Sequence, residues 1–153
     1  MKFETILVPT DFSDHAEKAL ETAIELAKVF GSRIELLNAY DFGQWVTLAD
    51  VTFAERAEEK LRLVASKKLQ SLVKRIETDG VEVSTHVSFG APSLEIVERA
   101  EKTNADLIVM GTRGLGAVKQ LFLGSVAART IQTAPCPVLT IAADDLVESK
   151  SAP

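Results

Sequence analysis

The sequence predicts an α/β domain built on an open, mainly parallel β-sheet. Short apolar runs alternate along the chain with longer segments of helical period, in the order β-α-β-α-β-α-β-loop-α-β. Strands that are joined by helices are expected to run parallel, through right-handed crossovers. The first and fourth strands are apolar nearly throughout, which is typical of strands with helices packed on both faces.

Five runs are predicted to form the strands. The first strand is expected to end at Pro9-Thr10-Asp11. The third alternates apolar with polar residues, so one of its faces is expected to be exposed to solvent. The predicted strands are 5–8, 33–39, 81–87, 105–110 and 137–142.

Four helices are predicted between these strands. Ser13 or Asp14 can cap the first helix, and Gly31 can end it. The second is predicted at about 52–78 and the third at 92–102, with Pro92 in its first turn. A loop of thirteen residues, 111–123, separates the fourth strand from a last helix at 124–133.

Length and composition limit the classes of protein to which this chain can belong. The 153 residues fit one domain, predicted at 1–143, with a polar and disordered tail at 144–153. A net charge of −5 disfavours a nucleic-acid partner. The single cysteine, Cys136, excludes a disulfide framework, and two distant histidines disfavour a His-rich metal centre. Neither a signal-type run nor a membrane-length run occurs, so a cytoplasmic protein without a membrane partner is expected.

The loop after the fourth strand carries the clearest chemical signal. Gly111 and Gly114 open it, and Gly124-Ser125 follows at the start of the last helix. Glycine permits close backbone approach and positive φ, and a helix N-terminus attracts anions. Arg113 and the Ser125 hydroxyl add further donors. The pattern predicts a phosphate cradle, facing Pro9-Thr10-Asp11 if the first and fourth strands are neighbours.

Two better-known phosphate motifs are excluded. A Walker A loop requires a Lys before the Ser or Thr, whereas Gly124 precedes Ser125 here. The dinucleotide fingerprint G-x-G-x-x-G fails because Lys119 stands where its last glycine would be, and because the loop follows the fourth strand rather than the first.

The spacing Gly111-x2-Gly114-x9-Gly124-Ser125 resembles the ATP-binding signature of the universal stress protein family, in its UspA-like, ATP-binding subgroup. Four further blocks are similar in order and position, so the resemblance covers essentially residues 3 to 142. These blocks are Ile6 to Ser13, Gly90-Ala91-Pro92, Asp106 to Gly111 and Pro135 to Leu139.

The resemblance implies a Rossmann-like fold of the adenine nucleotide alpha hydrolase type, with strand order 3-2-1-4-5. It also implies a homodimer and bound ATP. By position, Pro9, Thr10 and Asp11 would line the adenine side, and Ala39, where many relatives have Val, would pack against the base. Met110 and Gly111 would lie near the ribose. The implied phosphate contacts are Arg113, Gly114, Gly124, Ser125 and Val126.

Simpler interpretations of these residues remain open at this point. Gly111 and Gly114 can be turn glycines, Arg113 a solvated surface residue and Asp11 a helix cap. AMP, ADP or a cyclic nucleotide would meet much the same backbone as ATP. Asp11 is the nearby candidate for a magnesium ion.

Three functions are therefore compared. The first is a nucleotide-dependent regulator or sensor in stress response. The second is a slow ATPase or ATP-using transferase, which the lack of an evident general base disfavours. The third is a structural dimer module without nucleotide. In each case strand 137–142 is expected at the sheet edge, where a two-fold copy can pair with it.

Overall fold

The computed structural model describes residues 1–41, 51–115 and 122–143. Phe42 and Trp45, which the sequence places in the loop after the second strand, lie outside these residues, as do Lys119 and the predicted 144–153 tail. In chain order the elements are β1 (Thr5–Pro9), α1 (Asp14–Phe30), β2 (Arg33–Tyr40), α2 (Val51–Thr78), β3 (Val83–Phe89), α3 (Pro92–Thr103), β4 (Leu107–Gly111), α4 (Ser125–Thr133) and β5 (Val138–Ile141).

The five strands form one sheet in the order β3-β2-β1-β4-β5, and every neighbouring pair is parallel. Both the α/β fold class and the order 3-2-1-4-5 are confirmed. The order reverses between β1 and β4, since the chain leaves β1 toward β2 and later returns on the opposite side. In such sheets the carboxyl ends of the strands at the reversal point border a crevice.

The strands at the reversal point, β1 and β4, separate before they reach their carboxyl ends. β1 and β4 pair only at Ile6↔Leu107 and Leu7↔Ile108, whereas the pairing of β1 with β2 continues to Pro9↔Leu37. Beyond Leu7 the chain of β1 therefore turns away from β4, and the crevice opens between them.

Each face of the sheet has its own apolar layer. Ile6, Val8 and Leu36 point toward α1 and α2, while Leu7, Leu37 and Ile108 point toward α3 and α4. This alternation along the central strands explains why their sequences are apolar throughout. Burial of one such side chain is worth about 1.5–3 kcal/mol, so the two layers fix both sets of helices on the sheet.

The predicted element boundaries needed small corrections. Strand three begins at Val83, not at 81, because the amide of Val81 donates to the Ile76 carbonyl in the turn that ends α2. Helix α4 begins at Ser125, with Gly124 as its N-cap. No helix within the described residues is long and apolar enough to cross a membrane.

Candidate functional site

A cleft of about 380 Å³ lies at the carboxyl ends of β1 and β4. Its volume is within the usual range for small-molecule sites. All eleven residues predicted for the site line it: Pro9, Thr10, Asp11, Ala39, Met110, Gly111, Arg113, Gly114, Gly124, Ser125 and Val126.

The cleft has further walls that the sequence analysis missed. Thr112, Leu115 and Ala127 are chain neighbours of predicted residues, and Leu37 lies two positions before Ala39 on the same face of β2. These four residues could have been predicted from the sequence pattern. Pro92 and Ile96 were not, because only tertiary packing places the first turns of α3 beside the ends of β1 and β2.

One side of the cleft is apolar. Leu37 and Ala39 from β2 face Pro92 and Ile96 from α3, and Met110 from β4 completes this wall. A flat aromatic ring can pack on such a surface without leaving a buried polar group unsatisfied.

The other side is formed by the N-terminus of α4. Gly124 gives this helix no side-chain cap, and its first turn contains no acidic residue. Helix α1 differs, because the Ser13 hydroxyl accepts the Ala16 amide hydrogen at 3.3 Å and Asp14 and Glu17 stand in its first turn. The first amides of α4 thus face the cleft without a competing carboxylate, an arrangement that favours anions.

The amide of Gly124 itself does not point toward a ligand. It donates to the Thr112 carbonyl oxygen at 2.7 Å, which closes the loop between β4 and α4. Gly124, which the family resemblance implies as a phosphate contact, therefore cannot donate its amide hydrogen to a phosphate without breaking this bond. The amides that remain for an anion begin with that of Ser125.

The glycines of the signature make room for other parts of the protein. None of Gly111, Gly114 and Gly124 has a left-handed φ. A Cβ on Gly111 would lie 2.8 Å from the His15 Cβ and 2.9 Å from the His15 carbonyl carbon. A Cβ on Gly114 would overlap the Asp11 carboxylate. The expectation that these glycines provide positive φ is wrong, and close packing is instead what requires glycine at positions 111 and 114.

Arg113 lies inside the cleft wall rather than on the surface. Only 5% of the residue is exposed, which rules out the interpretation as a solvated surface arginine. A buried arginine that lines the same cleft as an uncapped helix N-terminus provides positive charge where water is scarce, so its attraction for an anion is weakly screened.

Asp11 connects the two loops that border the cleft. Its Oδ1 accepts the Ser13 amide hydrogen at 3.0 Å, and its Oδ2 accepts the Leu115 amide hydrogen at 2.9 Å. The N-cap of α1 is Ser13, so the capping role considered for Asp11 is wrong. Phe12, between them, has a φ of 65°, a left-handed conformation that is costly for an aromatic residue.

The end of β1 is held on its other side by β2. The Asn38 Nδ2 donates to the Thr10 carbonyl oxygen at 2.8 Å, and the Thr10 amide donates to the Leu37 carbonyl oxygen at 2.8 Å. These bonds fix the backbone of Thr10 beside Ala39 at the apolar end of the cleft.

Two titratable residues singled out in the sequence lie away from the cleft. His86 is exposed on β3, and partial burial together with the Arg99 guanidinium lowers its pKa. Cys136 is half-buried, and burial followed by the charge of Asp106 raises the pKa of its thiol. Within the described ranges, no group of three or more His, Cys, Asp and Glu side chains is placed to hold a metal ion.

A parallel sheet in the order 3-2-1-4-5 with a cleft at its reversal point defines a Rossmann-like α/β protein. The family model described as "Universal stress protein family" matches residues 2–142. The chain therefore belongs to the universal stress protein family.

Individual relatives agree with this assignment. The chain is 39% identical to the universal stress protein MJ0531 of Methanocaldococcus jannaschii over 139 residues, which is 91% of this chain and 82% of the relative. The solved structure of the hypothetical protein MJ0577 is similar with a TM-score of 0.86 and 31% identity, covering 94% of this chain and 98% of the other. A universal stress protein from Archaeoglobus fulgidus, solved in complex with dAMP, has a TM-score of 0.60 and 27% identity over 92% of this chain and 99% of its own.

Proposed function

We propose that the cleft binds an adenine nucleotide, with ATP as the ligand, and that the protein is a nucleotide-dependent regulator or sensor in stress response. The observation that carries the proposal is that one cleft combines an apolar end with an end suited to an anion. An apolar wall around Ala39 lies at one end, and buried Arg113 lies with the uncapped N-terminus of α4 at the other. The dAMP complex of the Archaeoglobus fulgidus protein supports an adenine nucleotide as the ligand class.

The residues of the cleft fit the parts of such a ligand. Ala39 with Pro9 and Thr10 would hold the base, and Met110 with Gly111 would border the ribose. The side of the cleft that would hold the phosphates contains Arg113, Gly114, Gly124, Ser125 and Val126. A helix N-terminus that lacks a carboxylate is suited to a phosphate group because its amides donate toward it.

Binding is proposed in preference to rapid hydrolysis. ATP would bring a transferable γ-phosphoryl group, whose transfer needs a residue that orients the nucleophile. Asp11 is the only carboxylate that lines the described part of the cleft, and each of its oxygens already accepts an amide hydrogen. A magnesium ion arriving with ATP would therefore be held mainly by phosphate oxygens and water.

The protein is further proposed to be a homodimer that pairs through β5. This strand lies at the end of the sheet, and its Leu139 is exposed, as is Ile131 on α4. An open apolar edge is a template for strand pairing, and a two-fold copy would close it.

Mass spectrometry of the nucleotide released from purified, denatured protein tests the proposed ligand. Recovered ATP supports the regulator, whereas recovered ADP with measurable phosphate release from added ATP supports the slow ATPase. Equilibrium dialysis of nucleotide-stripped protein with ATP and GTP then measures the preference for adenine. The proposal fails if no nucleotide is recovered and ATP does not bind.

A further inference from the structure

The Asp11 carboxylate bridges the cleft from one loop to the other. It belongs to the loop after β1, and its Oδ2 accepts the amide hydrogen of Leu115 in the loop after β4 at 2.9 Å. Its Oδ1 accepts the amide hydrogen of Ser13 at 3.0 Å, which fixes the side chain to its own loop. The carboxylate is thus anchored on one side and holds the backbone of Leu115 on the other.

The absence of a side chain at Gly114 leaves the space that this carboxylate occupies. A Cβ at position 114 would overlap Asp11 Oδ2, so any side chain there would displace the carboxylate from Leu115. The close approach of the Asp11 oxygen to the backbone of residues 114 and 115 therefore depends on the glycine.

The same part of the loop is held at two other points. The Thr112 amide donates to the Ile141 carbonyl oxygen at 2.9 Å, and the Thr112 carbonyl accepts the Gly124 amide hydrogen at 2.7 Å. Arg113 lies between this fixed residue and the 114–115 segment that Asp11 holds. Release of the Asp11 bond would free one side of Arg113 while leaving Thr112 in place.

We propose that Asp11 is a positioning residue for the phosphate end of the site. Its carboxylate holds residues 114–115, and with them Arg113, in the conformation that receives phosphate. This inference rests on the proposed nucleotide function. Pre-formed geometry raises affinity because less ordering is required on binding. The competing role, a contact between the Asp11 side chain and the base, predicts a different pattern of ligand affinities.

The bond can be tested without any nucleotide. In ¹H–¹⁵N spectra of the ligand-free protein, Asp11→Ala is expected to shift the Leu115 amide resonance and to speed its exchange with solvent by about tenfold or more. Asp11→Asn retains one carbonyl acceptor and replaces the other oxygen by a donor, so it is expected to lose one of the two bonds. An unchanged Leu115 amide in both variants would overturn the proposal, whether or not the protein binds nucleotide.

The ligand pattern then separates positioning from base contact. Asp11→Ala is expected to weaken ATP binding by about tenfold to a hundredfold and to leave adenosine binding unchanged. Asp14→Asn is the matched control, because it removes a negative charge from the exposed first turn of α1 without touching the cleft. Equal losses for ATP and adenosine would assign Asp11 to the base and overturn the proposal. Failure of the wild type to bind either ligand would refute the proposed function, and the amide measurement alone would then decide the role of Asp11.

A double-mutant cycle provides the second ligand measurement. Gly114→Ala is expected to weaken ATP binding in the wild type, where the added methyl group displaces the carboxylate, and to change it little in the Asp11→Ala background. Independent, multiplying effects of the two substitutions would show that Gly114 and Asp11 do not act together, contrary to the proposal. If Asp11→Ala does not fold, the Asp11→Asn background is used in the same cycle.

Discussion

The amide of Gly124 donates to the carbonyl oxygen of Thr112 at 2.7 Å, so the first residue after β4 and the N-cap of α4 are directly joined. The N-terminus of α4 is consequently held in place by the end of β4.

Gly124→Asp is expected to abolish ATP binding while the protein remains folded. The backbone of Gly124 has φ −73° and ψ 163°, which any residue can adopt, and aspartate is a favourable N-cap. Its carboxylate would take the first amides of α4 and repel the phosphates. Gly124→Asn is the matched control, since asparagine has the same size and capping ability without the charge.

Equilibrium dialysis with labelled ATP ranks these variants, and circular dichroism checks folding. A Cβ at position 124 would lie 3.3 Å from the Thr112 carbonyl oxygen, so both variants share a slight steric cost. Equal ATP affinity for folded Gly124→Asp and wild type would show that the phosphate end of the cleft is misplaced.

Ser125→Ala is expected to weaken ATP binding less than Gly124→Asp does. The substitution removes one hydroxyl donor from the cleft and leaves the backbone amide. A hydrogen bond to a charged group contributes about 1.5–3 kcal/mol. Dialysis of Ser125→Ala against wild type measures the loss, and Ser125→Thr, which keeps a hydroxyl, is expected to restore most of it. No difference between Ser125→Ala and wild type would remove this hydroxyl from the site.

Gly111→Ala is expected to lower the free energy of unfolding by about 1–3 kcal/mol, the usual range for overpacking. Its methyl group would meet the backbone of His15 at 2.9 Å, so the start of α1 must shift. Gly124→Ala, with its nearest contact at 3.3 Å, is the control and is expected to change stability little. Urea denaturation compares the two, and equal stabilities would show that α1 accommodates the methyl group.

Val138→Pro combined with Thr140→Pro is expected to convert the dimer to a monomer. The carbonyls of Pro137 and Ile141 accept amide hydrogens from Ile108 in β4 and from Thr112 just after it, so the alternate residues Val138 and Thr140 direct their amides to the open edge. Proline removes these outward amides and leaves the ladder with β4.

Light scattering at micromolar concentration measures the oligomer. The control combines Val138→Ala with Thr140→Ala, which removes side chains but keeps both amides, and is expected to remain a dimer. A wild-type monomer, or a dimer that persists in the folded double-proline variant, would refute pairing through β5.

Arg99→Gln is expected to raise the pKa of His86. Burial is the largest cause of the lowered pKa and the Arg99 charge is the second, while Glu35 acts in the opposite direction. Because the folded-state pKa lies below the ordinary value, the folded protein binds fewer protons at this histidine than the unfolded chain does. His86 therefore lowers stability as the pH falls through the ordinary histidine range. An NMR titration of His86 in both proteins checks the shift, and an unchanged pKa would exclude the Arg99 effect.

The sequence was sufficient to predict the order of the strands and helices along the chain. It was not sufficient to predict why glycine is required at positions 111 and 114. Hydrophobic period located five strands and four helices, because burial on one or both faces of a parallel sheet leaves a local pattern. The strand order came from the family resemblance. The eleven predicted residues meet in one cleft because loops at the carboxyl ends of adjacent strands must meet there.

The residues that sequence reasoning missed or explained wrongly depend on contacts between distant segments. Gly111 is opposite His15 and Gly114 is opposite Asp11, pairs that no local spacing reveals. Pro92 and Ile96 reach the cleft through the docking of α3. The start of β3 was placed too early because Val81 is buried like a strand residue although its amide belongs to the turn after α2.

Because the Thr112 amide donates to the Ile141 carbonyl, the site depends on a residue that comes later in the chain than any residue lining the cleft. The loop that follows β4 takes its first support from the last residue of β5, and the amide of Ala143 then donates to His15 Nδ1 at 3.1 Å. A polypeptide that stops before residue 141 would retain every residue that lines the cleft and still lack the support of Thr112. In a nascent chain the site is therefore completed only after the last strand has been added, although all of its lining residues come earlier in the sequence.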